Sequence, residues 1–284
     1  MSSAWTWECA WPAPAKLNLF LHVVGRRPDG YHLLQTVFHF LDHGDSLRFE
    51  PRSDGQIVLA TPLPGVAPET DLTVRAARLL QTHSGCRQGV TLHLTKRLPM
   101  GGGLGGGSSD AATVLLALNH LWGLGLERPA LQALGLRLGA DVPVFIFGRN
   151  AFAEGIGERL TPVTLPESWY LVLEPPVTVP TQRIFCAPDL RRDTPPLTPS
   201  AWQPGQGGND LEPVACRLFP VVGEYLAWLR QHTGPERSHM SGSGACVFAR
   251  FADAAEAYAL AAQLPPGWKG WVAAGLIAHP LAAC

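Results

Sequence analysis

The chain has 284 residues, of which 46% are apolar and 16% charged, with a formal net charge of −1. That is ample for one large or two ordinary hydrophobic cores, and the absence of a basic stripe argues against a general nucleic-acid binder. The six cysteines (Cys9, Cys86, Cys186, Cys216, Cys246, Cys284) lie far apart and form no C-x-x-C pair, which disfavours zinc and thioredoxin-type sites and points to scattered buried thiols in a reducing cytosol.

The N-terminus has neither a basic region nor a long apolar core, so no signal peptide is expected. Residues 15–24 alternate: Leu17, Leu19, Leu21 and Val23 fall on one face of a strand, and Lys16, Asn18, Phe20 and His22 on the other. Arg27-Pro28-Asp29-Gly30 reads as a turn. Strands are expected over 36–40, 46–50 and 56–60. A helix is expected over 71–81, with Leu72, Ala76, Leu79 and Leu80 inward and Arg75 and Arg78 outward.

The middle of the chain is its most informative part. A strand-like alternation over 90–95 leads into Leu98-Pro99-Met100-Gly101-Gly102-Gly103-Leu104-Gly105-Gly106-Gly107-Ser108-Ser109-Asp110, where six glycines fall within seven residues. A helix-like run over 111–122 follows. Glycines let backbone N–H groups converge, and a helix start adds unpaired donors and the positive end of the dipole. Ser108, Ser109 and Asp110 are good N-cap types. The expected guest is a polyphosphate. No Gly-Lys-Ser/Thr ending is present, so this is not a Walker A loop, and no second strand with an acidic residue follows as a dinucleotide fold requires. The apolar stretch 111–126 contains Asn119, His120 and two glycines and is shorter than the ~20 residues of a membrane span. A further helix starts at Pro129 and ends near Leu138-Gly139. Asp141 lies just beyond, before Val142-Pro143, where the chain is expected to turn extended.

The second half reads as a strand over 169–173, then a long Pro/Thr/Gly-rich loop over 175–208 with a short helix near 181–185. A mostly helical stretch over 211–231 follows. Ser241-Gly242-Ser243-Gly244 is a second glycine turn entering a strand over 245–251, and a helix over 254–263 and a strand over 270–278 complete the chain. The expected fold class is α+β with two domains, 1–155 and 156–284, and the two glycine loops facing each other across the cleft between them. The histidines other than His32 show no ligand spacing.

Three spaced motifs now coincide: Pro14-Ala15-Lys16-Leu17-Asn18-Leu19, the glycine loop with Ser108-Ser109, and Ser241-Gly242-Ser243-Gly244-Ala245. Taken singly each has a plain reading, as a solvated strand lysine, a flexible connection and an ordinary turn. Together they resemble the superfamily of galactokinase, homoserine kinase, mevalonate kinase and phosphomevalonate kinase. Arg27-Pro28-Asp29-Gly30-Tyr31-His32 and Gly139-Ala140-Asp141-Val142-Pro143 draw the chain toward the branch acting on a cytidine-diphosphate-linked polyol.

The resemblance implies an N-terminal ATP-binding domain, a C-terminal ferredoxin-like domain, and an active site between them. It implies ATP as co-substrate with Mg²⁺, phosphorylation of the 2-hydroxyl of a methylerythritol unit, and a place in non-mevalonate isoprenoid synthesis. The enzyme is expected to be cytoplasmic, a monomer or weak homodimer, with no nucleic-acid or membrane partner. Residue by residue, Asp141 and Lys16 match the catalytic pair, and Asn18 a substrate-contacting asparagine. Tyr31 and His32 match residues holding the cytosine, with Phe185 on the other side of the ring. Pro99, Gly101, Gly102, Gly103, Leu104, Gly105, Gly106, Gly107, Ser108 and Ser109 match the ATP phosphate cradle, and the metal ligands are open. Thr70 departs from the asparagine common near the adenine. The competing expectations are a kinase of a plain small alcohol, such as homoserine or a mevalonate derivative, and a non-catalytic nucleotide sensor.

Overall fold

The computed structural model describes residues 5–284, so the first four residues of the expected first domain lie outside the described residues. Two antiparallel-rich sheets organise the fold. The first is built from β1 (Trp11–Arg26), β2 (His32–Arg52), β3 (Ile57–Leu59), β4 (Gly89–Thr95), β5 (Ala151–Glu154) and β6 (Arg159–Pro162). Its order is β3-β4-β2-β5-β6, with β1 pairing β2, and only the β3–β4 pair is parallel. Helices α1 (Leu72–Ser84), α2 (Gly106–Leu121), α3 (Arg128–Leu136) and α4 (Val142–Phe147) accompany it. One large core cluster joins Phe38, Phe40, Leu47 and Phe49 of β2 to Val74 and Leu80 of α1, Val114 and Leu115 of α2, and Phe145 of α4.

The second sheet has the order β10-β7-β9-β8, from β7 (Trp169–Glu174), β8 (Ser238–Met240), β9 (Val247–Phe251) and β10 (Lys269–Ala274). Helices α5 (Thr181–Phe185), α6 (Glu212–Leu218) and α7 (Pro220–Thr233) separate β7 from β8, and α8 (Ala254–Ala261) separates β9 from β10. Helical segment between first and second strands, hairpin, helix before the last, and the order fourth-first-third-second make this the ferredoxin-like arrangement the resemblance implies. No described helix is long and apolar enough to cross a membrane.

Several local expectations need correction. The strands expected over 36–40 and 46–50 are one continuous β2. The alternation along β1 does not produce one wet face. Lys16, Asn18 and Phe20 are as buried as Leu17 and Leu21, because other parts of the fold cover both sides of the strand. The helix expected over 211–231 is two, separated at Phe219 before Pro220, where proline cannot supply an interior N–H. Asp141 and Val142-Pro143 do not turn extended. Asp141 has φ −84° and ψ −13° and caps α4, with Pro143 in the first turn, where a missing N–H costs nothing. β8 went unrecognised, being only three residues long.

Candidate active site

β1 brings the first two site residues together. Its pairing with β2 slips between Pro14 and Lys16 and again between Asn18 and Leu21. The slip frees the Lys16 N–H to donate to Leu104 O of the glycine loop at 3.0 Å. With period two, the Lys16 and Asn18 side chains share a face, and Lys16 Nζ donates to Asn18 Oδ1 at 2.6 Å. The same ammonium donates to Gly103 O at 2.9 Å and lies 3.3 Å from Asp141 Oδ2. Lys16 is 2% exposed, so its charge is desolvated and compensated by the carboxylate and two oxygens. Asn18 Nδ2 in turn donates to Thr36 Oγ1 at 2.9 Å.

The glycine loop joins β4 to α2. Ser108, Ser109 and Asp110 are not its caps. α2 begins at Gly106 behind Gly105, whose φ of +73° favours glycine, and these polar residues sit inside the first turns. The first intrahelical bond is Ser109 N–H to Gly105 O at 2.8 Å. Among the described residues the N–H groups of Gly106, Gly107 and Ser108 therefore have no helical partner, and they face the site as donors at the positive end of the helix.

The second glycine turn does face the first, in direct contact. Gly103 O also accepts from Ser241 Oγ at 2.9 Å, and Cys246 N–H donates to Gly102 O at 3.1 Å. A Cβ on Gly103 would stand 2.1 Å from Ser241 O. Asn209 secures the turn from behind, its Nδ2 donating to Met240 O and Gly242 O, each at 2.8 Å.

Beneath the loop lies a cluster that sequence reasoning missed. Lys96 Nζ bridges Asp45 Oδ2 and Asp110 Oδ2, the latter at 2.8 Å. Asp45 Oδ1 accepts the backbone N–H groups of Arg97 and Leu98 at the entry to the loop. Burial and the neighbouring Asp45 charge, opposed by Lys96, push the Asp110 carboxyl up to about 7. Burial acts to lower the Lys96 pKa, but the two carboxylates more than reverse it and raise it above the ordinary lysine value. The only sequence signal was Lys96 standing two residues before the loop's Leu98-Pro99.

Lys16, Asn18, Asp141, Lys96, Asp110 and the glycine loop line one cleft of about 1100 Å³, together with Tyr31, His32 and Phe185. The His32 and Phe185 rings lie 4.9 Å apart at 30°. Tyr31 stands 60% exposed across the opening, with no ring partner among the described residues. Arg192, also missed, donates from Nε to His32 Nε2 at 3.1 Å and from its terminal nitrogens to Phe185 O, Ala187 O and Leu190 O. Thr70 lines the cleft, but its hydroxyl already donates to Ala67 O at 2.8 Å. Pro99 and residues Gly101 to Ser108 all line the cleft, whereas Ser109 is fully buried behind the loop.

One cleft therefore gathers a bank of helix N–H groups, a lysine–aspartate pair and a group of aromatic rings. Comparison with known proteins places the chain in a family. Residues 71–149 match the GHMP kinases N terminal domain, and residues 200–269 match GHMP kinases C terminal. A 4-diphosphocytidyl-2-C-methyl-D-erythritol kinase from Dechloromonas aromatica is 68% identical over 272 residues, covering 96% of this chain and 98% of that protein. The crystal structure of a 4-(cytidine 5'-diphospho)-2C-methyl-D-erythritol kinase, 38% identical, superposes with a TM-score of 0.80 over 94% of this chain and 99% of that one. Homoserine kinase from Cytophaga hutchinsonii, at 17% identity, shares the fold with a TM-score of 0.68 over 95% of this chain and 94% of that one. The chain belongs to the 4-diphosphocytidyl-2-C-methyl-D-erythritol kinase family of the GHMP kinases.

Proposed function

We propose that this chain transfers the γ-phosphoryl group of ATP to the 2-hydroxyl of 4-diphosphocytidyl-2-C-methyl-D-erythritol, giving the 2-phosphate and ADP for isoprenoid precursor synthesis. The observation that carries the reading is the Lys16–Asp141 pair, 3.3 Å apart, set in one cleft with the glycine loop and the aromatic rings. The ATP phosphates lie along the free N–H groups of Gly106, Gly107 and Ser108. The cytosine lies between Tyr31 and Phe185, where stacking is worth about 1–3 kcal/mol per base, and Asn18 contacts the polyol.

Phosphoryl transfer passes through a loose transition state, so positioning and charge stabilisation dominate. Asp141 accepts a hydrogen bond from the 2-hydroxyl, aligns its oxygen with the γ-phosphorus, and takes the proton as the O–P bond forms. Lys16 fixes Asp141 and offsets the charge developing on the phosphoryl oxygens. Mg²⁺, bound together with ATP, would supply positive charge against the negative charge of the phosphates. No cluster of three or more acidic, histidine or cysteine ligands exists among the described residues. Ser108 of the glycine loop lines the cleft, and its hydroxyl would help to hold the ion. The cysteines are all free, but of the thiols expected to be buried only Cys246 is, and Cys186 is exposed; free thiols fit a cytoplasmic enzyme, which acts as a monomer or weak homodimer.

A Mg²⁺-dependent ADP-release assay tests this, with the cytidylated polyol alongside homoserine, mevalonate and galactose. Turnover with the cytidylated polyol alone is expected. Turnover with another alcohol would keep the kinase and discard the cytidine reading. ATP binding without turnover on any of them would leave a nucleotide sensor.

A further inference from the structure

Beside the aromatic rings of the cleft lies an arginine whose bonding pattern dictates the state of its neighbour. Arg192 Nε lies 3.1 Å from His32 Nε2. A guanidinium only donates, so His32 Nε2 must present its lone pair, and the proton of the neutral ring must sit on Nδ1. Burial lowers the His32 pKa, and the positive charges of Arg192 and Arg26 lower it further, so the ring stays neutral near pH 7. Arg192 is itself held rigidly, by the carbonyls of Leu190, Phe185 and Ala187. His32 Nδ1 has no partner among the described residues, and His32 lines the cleft against Phe185.

A ring fixed as an Nδ1–H donor reads the edge of a pyrimidine. Cytosine and uracil both accept at O2, so only a donor directed at N3 tells them apart: there cytosine presents a lone pair, whereas uracil presents an N–H that would face the donor and leave both unpaired. We infer that Arg192 is a positioning residue for base recognition, locking His32 as an Nδ1–H donor to the N3 position of the base, so that the cleft takes cytosine and rejects uracil. This rests on the cytidine reading of the site. The same arginine ties the backbone of Phe185 to the imidazole, so one side chain sets both a ring face and a donor of the base pocket.

The test uses CDP and UDP as probes, with calorimetric binding to the whole enzyme, and ¹⁵N imidazole spectra to read the His32 tautomer. The parent enzyme is expected to show His32 as the Nδ1–H tautomer and to prefer CDP over UDP by about 10–100-fold. Arg192→Met keeps the stem and loses the donor. It is expected to give a mixed His32 tautomer and to shrink the CDP preference at least severalfold, with ATP affinity unchanged. Arg192→Lys, a single donor without the fork, is expected to recover part of the preference.

An Nε2–H tautomer in the parent enzyme would overturn the proposal even if CDP binds, and that readout needs no variant to fold. An unchanged CDP/UDP ratio in a folded, ATP-binding Arg192→Met would overturn it too. Failure of the parent enzyme to bind CDP at all would instead remove the cytidine reading on which the proposal rests.

Discussion

The two members of the central ion pair are held very differently. Lys16 Nζ has three oxygen partners within 3.3 Å and a side chain 3% exposed, while Asp141 is 37% exposed with Lys16 its one polar side-chain partner among the described residues. The lysine is thus a fixed point of the scaffold, and the aspartate keeps lone pairs free toward the cleft. Replacement of Asp141 with asparagine preserves the shape but removes the proposed proton acceptor. It is expected to lower kcat about 10²–10⁴-fold while ATP titration stays as in the parent enzyme, and near-normal turnover would reject the role of Asp141. Asp110 makes a different kind of prediction. Its carboxyl is raised to about 7 by burial and Asp45, against the opposing pull of Lys96. The folded state therefore holds a proton that the unfolded state releases near pH 4. The associated stability is present below that pH and is lost as pH rises toward about 7, a difference of the order of a few kcal/mol. Asp110→Asn cannot lose it, so the melting temperature of this variant relative to the parent is expected to climb between pH 4 and 7 and level off above. A flat difference across that range would show that Asp110 titrates normally.

At the level of elements, the glycine loop works because its backbone is gripped from two sides. Gly103 O takes one hydrogen bond from Lys16 and one from Ser241, and its φ is +75°. Gly103→Ala would add strain at positive φ and drive a methyl into Ser241 O. Gly123, with φ +65° and nothing within 4 Å, isolates the first effect. Thermal unfolding with and without ATP is expected to show Gly103→Ala destabilised well beyond the ~1 kcal/mol typical of a mismatched φ and weakened for ATP. Gly123→Ala should carry only the strain. Equal behaviour of the two would remove the loop's backbone grip from the account.

The same grip explains what was legible in the sequence and what was not. The short helix at Thr181–Phe185 and the turn at Ser241–Gly244 follow local rules and were readable. The start of α2 was placed five residues late, since glycine is a poor helix former and only contacts from β1 and the second glycine turn hold Gly105 and Gly106 in place. Lys16 and Asn18 were visible through period two and the motif around them. Asp45, Lys96 and Arg192 were not, because their chemistry exists only after strands and loops distant in sequence are brought together. The expected extended turn at Val142-Pro143 failed for a related reason. The rule that disfavours helix before proline is a bias, and here Val142 and Pro143 open α4 with Asp141 as its cap.

Across the molecule, the two sheets do not merely flank the cleft; they share structure. β1 belongs to the first sheet, yet Leu21 exchanges backbone hydrogen bonds with Gly208 and Asp210, and the Val23 N–H donates to Asp210 Oδ2 at 2.7 Å. His39 Nδ1 of β2 lies 2.8 Å from the Tyr170 hydroxyl of β7, both buried. A separate hydrophobic cluster joins Phe20, Val37 and Phe152 of the first sheet to Tyr170, Val172 and Phe248 of the second, and includes Leu104 of the glycine loop. Neither half can unfold without exposing this cluster to water, so local opening of one sheet carries much of the free-energy cost of opening both. The whole chain is expected to melt in one transition, with tryptophan fluorescence and far-UV circular dichroism giving the same midpoint. Phe248→Ala, made in the second sheet, is expected to cost about 3–5 kcal/mol and to shift both signals together. It should also weaken ATP binding through Leu104, which packs in the same cluster. Two separate transitions, or a Phe248→Ala effect confined to one signal, would mean that the two sheets fold as independent units and that the cleft is a junction between bodies free to move apart.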